Sequence, residues 1–146
     1  MQNALSVIPR VKIEPCTYPN GAIKGFWVYF GNGIVLSVQG GYGNYGSMYN
    51  DPIAIQLMLD KSPPQEYLTY ILDHCSTWEM AEWHKDYRGQ ENWVKWDESD
   101  SAVLDYQTEQ EIVAISQKLA RPEAPMILLA NEFRFSSLNT LKEHKT

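Results

Sequence analysis

The chain has 146 residues, of which 44% are hydrophobic and 12% aromatic, and its formal net charge is −6 at pH 7. This length predicts a single domain, 1–146, with a core of its own. The negative charge disfavours direct nucleic-acid binding, which needs lysine and arginine to displace counterions. The chain has two cysteines, which lack the spacing of a metal site, and it contains no long apolar run. We therefore expect a cytoplasmic protein with free thiols, no membrane partner and no cofactor.

The first third of the chain predicts strands. Alternating apolar residues within 7–13 predict a first strand, and 15–25 then form a loop. Aromatic and β-branched residues at 26–30 and apolar residues at 34–39 predict two more strands. The Gly31-Asn32-Gly33 turn between them joins the two strands into an antiparallel hairpin.

Residues 53–59 allow two interpretations. Apolar residues alternate there with Ala54, Gln56 and Met58, which favours a further strand. Asp51 followed by Pro52 is instead typical of a helix start, with Asp as the N-cap and Pro in the first turn. We favour the strand and keep the helix as the alternative.

Helices are predicted in the second half of the chain. Apolar spacing over 68–75 places one face of a helix against the core. The capping-box pattern at 76–79 predicts a second helix that runs to Arg88. A further capping box at 108–111 predicts a helix that ends by Pro122.

Short strands at 94–96 and 126–130 and a frayed polar tail at 139–146 complete the chain. We therefore expect an α+β fold, with a mainly antiparallel sheet of four to five strands and about three helices packed on one face.

Six of the nine glycines lie in residues 31–46, and the last six of these residues fit the pattern G-x-G-x-x-G. Only six residues separate this pattern from the next apolar run, whereas a parallel crossover needs about a dozen. We therefore favour a loop between antiparallel strands over a dinucleotide site. The alternative is a small-ligand binder, such as a sponge for a signalling nucleotide, held by backbone amides and stacked rings. Its residues would be Gly41, Tyr42, Gly43, Tyr45, Gly46 and Tyr49.

The sequence gives weaker support for catalytic residues than for a binding loop. His74 and Cys75 are adjacent, and neighbouring residues of a helix point about 100° apart, so His74 is poorly placed to activate the thiol. Neither His74 nor His84 fits a metal-ligand spacing, so we expect no metal. A small hydrolase or nuclease around His74 and His84 is kept as a third hypothesis, and no catalytic residue is assigned.

The region 73–111 carries the strongest charge pattern. It contains eleven acidic and three basic residues, a net charge of −8, together with four of the five tryptophans. Tryptophan and carboxylates together suit a surface for a basic protein partner. The alternative is that Trp78, Trp83, Trp93 and Trp96 line the core, which the spacing favours for Trp83. The predicted partner-binding residues are Glu91, Trp93, Trp96, Asp97, Glu98 and Asp100.

The hairpin and the segment after it resemble small bacteriophage accessory proteins of unknown function. The resemblance rests on the turn at 31–33, Ser37-Val38, Tyr45-Gly46 and the apolar run 53–59. Residues 103–108 lead into a capped helix, and this succession is similar to the end of those proteins. The resemblance covers about half of the chain and omits residues 62–101, which it therefore implies to be a helical insertion into the single domain.

The resemblance implies a binding role in the host cytoplasm, by blocking a host enzyme or defence complex or by sequestering a signalling nucleotide. Our leading hypothesis is therefore a non-enzymatic accessory protein. It would bind and inhibit a host protein, with a basic surface, through its acidic, tryptophan-rich segment.

Overall fold

The structure is a computed structural model that describes residues 1–85, 91–93 and 103–121. The described residues form one antiparallel sheet of six strands with four α-helices and a short 3-10 helix, which confirms the predicted α+β fold. The strands are β1 Lys12–Thr17, β2 Ile23–Tyr29, β3 Ile34–Gln39, β4 Thr77–Lys85, β5 Glu91–Trp93 and β6 Val103–Thr108. The α-helices are α1 Gln2–Ser6, α2 Pro52–Leu59, α3 Tyr70–His74 and α4 Glu109–Leu119, and Gln65–Tyr67 form the 3-10 helix.

Strand β4 organises the sheet. The order is β1-β2-β3-β4, and β3 occupies one edge of β4. The other edge is shared by two short strands, since β6 pairs with the first half of β4 and β5 with the second half. In the register, Thr77 lies opposite Thr108 and Lys85 opposite Glu91.

The core lies on one face of the sheet. Phe26, Val38 and Met80 are register partners on three neighbouring strands, and all three are buried. Helices α1, α3 and α4 add Leu5, Ile71 and Ile112 to the same apolar cluster. Burial of this apolar area is the main stabilising contribution to the fold.

The β2–β3 hairpin is confirmed. Gly33 adopts φ of +91°, a left-handed conformation that glycine tolerates best. The Asn32 side chain accepts a hydrogen bond from the Ile34 N–H at 3.1 Å and donates to the Leu119 carbonyl at 2.8 Å. The turn is thereby tied to the end of α4.

The favoured strand at 53–59 is wrong, because these residues form helix α2. The Asp51 carboxylate accepts hydrogen bonds from the N–H groups of Ile53 and Ala54, both at 2.9 Å, and Pro52 occupies the first turn. Local capping therefore outweighs the alternation of apolar residues. The second capping box is confirmed at α4, where Thr108 and Glu111 cap each other's backbone N–H groups.

The predicted helix from 76 to Arg88 is also wrong, since residues 77–85 form the strand β4. The Ser47 hydroxyl accepts hydrogen bonds from the N–H groups of Ser76 and Thr77, at 2.9 and 3.3 Å, so the segment does not need a helical cap. Residues 62–101 thus contain an interior strand of the sheet, β4, as well as helix α3.

The first predicted strand is shifted along the chain. Residues 7–11 precede the strand, which begins at Lys12 and continues to Thr17 within the predicted loop. Pro15 fits because β1 is an edge strand, where a missing N–H is tolerated. The predicted strands at 94–96 and 126–130 and the tail 139–146 lie outside the described residues.

Candidate functional site: a tyrosine and carboxylate surface at a β-bulge

The glycine-rich loop between β3 and α2 is packed tightly against the domain. A Cβ atom on Gly41 would overlap the Tyr18 hydroxyl, and one on Gly46 would overlap the Thr77 carbonyl oxygen. Gly43, with φ of +82° and no neighbour within 4 Å, is instead a glycine for conformational reasons. The pattern of glycines therefore has a structural explanation that requires no ligand.

The backbone N–H groups of this loop are largely used within the domain. Those of Gly43, Asn44 and Gly46 donate to carbonyl oxygens of Tyr49, Gly41 and Asn44, at 3.3, 3.2 and 2.7 Å. An anion cradle needs several N–H groups that point at the ligand. The predicted nucleotide site gains no support from these amides, although its tyrosines are available.

Tyrosine rings cover the outside of the loop. The rings of Tyr45 and Tyr49 stack at a centroid distance of 5.4 Å and an interplanar angle of 12°. Tyr45 is 47% exposed, and Tyr42 is also exposed. Stacking limits the rotamers of the pair, so the two rings form an ordered aromatic surface.

A β-bulge brings a further tyrosine to the loop. The register between β4 and β6 shifts after Trp78, so that Asp105 and Tyr106 together lie opposite the single residue Glu79. Tyr106 adopts φ of +54° and is 54% exposed. Its N–H donates to the carbonyl oxygen of Tyr45 at 2.8 Å. The bulge thus turns Tyr106 outward beside the stacked pair, a use of bulges that recurs at functional sites.

Two carboxylates lie at the same bulge. Burial raises the pKa of Glu79 above its usual value, and the negative charge of Asp105 raises it further. Contact with the Tyr45 backbone and the positive charge of Lys24 act in the opposite direction but do not cancel the rise in the Glu79 pKa. Burial and the neighbouring Asp105 charge thus outweigh Lys24 in their effect on the Glu79 pKa. We call this set the tyrosine–carboxylate surface: Tyr42, Tyr45, Tyr49, Glu79, Asp105 and Tyr106.

Such an arrangement is suited to a cation. Carboxylates attract an ammonium or guanidinium group, and the faces of tyrosine rings add a cation–π contribution of about 0.5–2 kcal/mol. The domain already uses this chemistry once, since Lys24 Nζ lies 5.2 Å from the centre of the Tyr18 ring. A phosphate would instead meet two negative charges.

Comparison of the chain with protein-family models, curated proteins and solved structures found no match. No helix among the described residues is long and apolar enough to cross a membrane. Within the same residues, no group of three or more His, Cys, Asp or Glu side chains could hold a metal ion.

The residues of the hydrolase hypothesis are not brought together. His74 stacks on Tyr70 at 4.1 Å at the end of α3, whereas His84 lies in β4 opposite Ile34. At about 3.3 Å per residue, the length of β4 alone separates the two histidines by roughly 20 Å.

Cys75 lines a cleft of about 540 Å³ between α3 and the start of α4. Its thiol donates to the Thr77 carbonyl at 3.0 Å, and burial raises its pKa above the usual value. A raised pKa keeps the sulfur protonated, and a protonated thiol is a poor nucleophile. This cysteine is therefore suited to packing.

Only two of the six predicted partner-binding residues lie within the part of the chain that the structure describes. Glu91 and Trp93 belong to β5, opposite Lys85 and Trp83, and nothing further is described of their side chains. Trp96, Asp97, Glu98 and Asp100 lie outside the described residues. Of the tryptophans considered, Trp78 is in the core, at 4% exposure. Whether Trp83 is buried, as its spacing suggested, stays a prediction.

Sequence reasoning found three of the six surface residues, Tyr42, Tyr45 and Tyr49, but assigned them to a nucleotide. It missed Glu79 because the predicted helix placed this residue in a capping box. It missed Asp105 and Tyr106 because a bulge leaves no regular sequence pattern. The lone tyrosine within the polar run 105–108 was the one available indication.

Proposed function

We propose that this protein is a non-enzymatic binding protein that docks a basic surface of a protein partner onto its tyrosine–carboxylate surface. The observation that carries the proposal is the bulge at Glu79, which places a second carboxylate and an outward-turned tyrosine beside a stacked tyrosine pair. A lysine or arginine side chain of the partner would enter between the carboxylates and the rings.

Charge supports this choice of partner. Glu79 is half-buried, and its pKa is raised chiefly by that burial, with the Asp105 charge adding to it. A cation that binds here relieves the repulsion and stabilises the ionised form of Glu79. Binding should therefore strengthen as the pH rises through the raised pKa of Glu79, and weaken below it.

The surface is also prepared for binding. The Tyr106–Tyr45 hydrogen bond joins the bulge to the loop, and the Tyr45–Tyr49 stack fixes the exposed rings. A surface that is ordered before binding loses less conformational entropy on association. Tyrosine is among the residues that most often dominate the affinity of protein interfaces.

The described strand of the acidic segment, β5, lies on the same edge of β4 as the bulge. β5 and β6 share the outer edge of β4, and Glu79 and Trp83 are four residues apart on that strand, roughly 13 Å. A phage-type role as an inhibitor of a host protein, with Glu91, Trp93 and their neighbours widening the interface, fits this arrangement and forms part of the proposal.

A peptide titration followed by backbone amide NMR tests the proposal. An arginine- and lysine-rich peptide of about eight residues should shift the amide signals of residues 42–49, 79 and 103–107, and a glutamate-rich peptide of equal length should not. Uniform small shifts over all acidic parts of the domain, or shifts confined to residues outside this set, would contradict it.

The two surfaces can be separated by substitution. Replacing Tyr45 and Tyr106 with Ser should weaken peptide binding about ten-fold or more, to the order expected for two aromatic contacts. Reversing Glu91, Asp97, Glu98 and Asp100 to Lys should slow association and flatten its salt dependence. If only the second variant loses binding, the interface lies on the acidic segment and the tyrosine–carboxylate surface is not the site.

A further inference from the structure

A pocket lined by two arginines lies at the end of the sheet opposite the tyrosine–carboxylate surface. It has a volume of about 520 Å³ and opens to solvent between the segment before β1 and the end of α4. The strand β3 runs from this end, at Ile34, to the Glu79 end, at Gln39. The pocket and the tyrosine–carboxylate surface are therefore separated by roughly 17 Å.

Two arginines and an apolar wall form this pocket. Its lining includes Val7, Ile8, Pro9, Arg10, Ala120 and Arg121. Val7 is 80% exposed, which is unusual for an apolar side chain that lies next to other apolar residues. Gln117 adds an amide to the rim.

The cations around the pocket have no acidic partner among the described residues. No described carboxylate forms an ion pair with Arg10, Lys118 or Arg121, and the described ion pairs involve other groups. Lys118 lies at the same end of α4 but does not line the pocket; burial, followed by the charge of Arg121, lowers its pKa. A local concentration of positive charge stands out in a chain whose net charge is −6.

The position of these groups is only partly explained by the fold. Lys118 and Arg121 lie at the end of α4, where the helix dipole favours cations. Arg10 comes from another segment and adopts φ of +67°, a conformation that is unfavourable for a residue with a side chain. The turn that holds it is closed by the Val11 N–H, which donates to the Ile8 carbonyl at 3.3 Å.

We propose that this pocket binds a small amphiphilic anion, with its acidic head group between Arg10 and Arg121 and its aliphatic chain against Val7, Ile8 and Pro9. Arginine matches the planar geometry of a carboxylate and of phosphate oxygens through paired hydrogen bonds. The apolar wall would cover a short hydrocarbon chain. This site is independent of the proposed protein-docking function.

Calorimetric titration of the whole protein tests the pocket with four probes: octanoate, octyl phosphate, octanol and butyrate. Octanoate or octyl phosphate should bind, and whichever is tighter identifies the head group. Octanol lacks the charge and butyrate lacks the chain, so both should bind at least ten-fold more weakly. Equal binding of octanol, or no binding of either anion, would overturn the proposal.

Substitutions locate the site. Arg10→Gln and Arg121→Gln should each weaken anion binding about ten-fold, as expected for loss of a charge-assisted hydrogen bond. Lys61→Gln changes the net charge equally on an exposed residue outside the pocket and should leave binding unchanged. Arg121 is exposed, so its substitution should leave the melting temperature unchanged. Parent-like affinity in both arginine variants, or an equal loss in Lys61→Gln, would show that the pocket is not the binding site.

Discussion

The backbone N–H of Tyr106 donates to the carbonyl oxygen of Tyr45 across 2.8 Å. This hydrogen bond joins a bulge in β6 to the loop that follows β3, two segments about sixty residues apart in the chain. It is possible because Tyr106 leaves the regular ladder with β4 and adopts φ of +54°. Two exposed tyrosines of the proposed docking surface, Tyr45 and Tyr106, are consequently joined through the backbone.

The left-handed conformation of Tyr106 predicts a difference between two substitutions. Asn tolerates positive φ, whereas a β-branched residue does not. Tyr106→Val should therefore be less stable than Tyr106→Asn by about 1–2 kcal/mol. Urea denaturation of both variants measures this difference, and equal stabilities would show that the bulge does not hold residue 106 at positive φ.

The glycines of the loop predict which of two alanine substitutions destabilises the domain more. Gly46→Ala places a Cβ against the Thr77 backbone and should destabilise the domain by about 1–3 kcal/mol, as overpacking does. Gly43→Ala meets no neighbour and should cost only the strain of positive φ, about 1 kcal/mol. Thermal unfolding that ranks Gly43→Ala as the more damaging change would be at odds with a tightly packed loop.

Helix α2 predicts a cap effect. Asp51→Ala removes the acceptor of two backbone hydrogen bonds and should lower the free energy of unfolding by about 0.5–2 kcal/mol. Asp51→Asn keeps a side-chain oxygen and should retain most of the stability. Chemical denaturation compares the two variants with the parent, and an unchanged midpoint for Asp51→Ala would exclude this role.

These elements show where sequence reasoning succeeds and where it stops. The hairpin and the cap of α4 were predictable because Gly31-Asn32-Gly33 and Thr108–Glu111 determine backbone geometry locally. Strand β4 was not predictable, because its conformation depends on pairing with β3 on one edge and with β5 and β6 on the other. Long-range pairing overrides a local capping pattern.

The candidate site, too, was predictable only in part from the sequence. Tyr45 and Tyr49 stood out in the sequence because they accompany glycines, but their chemistry was assigned by analogy with phosphate loops. The carboxylate of Glu79 decides that chemistry, and it reaches the loop only through the register of β4. No spacing rule connects residues that meet through the packing of three separate segments.

Glu79 also predicts a pH dependence of stability. Its pKa is raised in the folded protein, so the folded state holds this proton more strongly than the unfolded state does. Ionisation of Glu79 therefore lowers stability as the pH rises from about 4.5. Glu79→Gln should be more stable than the parent above the raised pKa, by no more than about 1 kcal/mol because Glu79 is partly exposed.

Melting temperatures of the parent and of Glu79→Gln at pH values from 4 to 8 check this sign. The higher melting temperature of Glu79→Gln should appear as the pH rises. It should vanish at low pH, where Glu79 of the parent carries a neutral carboxyl group. A gain that is largest in acid would contradict the raised pKa of Glu79.

The most direct measurement of the docking surface compares two double variants of equal net charge. Glu79→Gln with Asp105→Asn removes both carboxylates of the surface, whereas Asp60→Asn with Glu66→Gln removes two charges elsewhere. Calorimetric titration with the arginine- and lysine-rich peptide should show about ten-fold weaker binding or more for the first variant and near-parent binding for the second. Equal losses in the two variants would show that the peptide responds only to net charge, and would contradict a cation site at the Glu79 bulge.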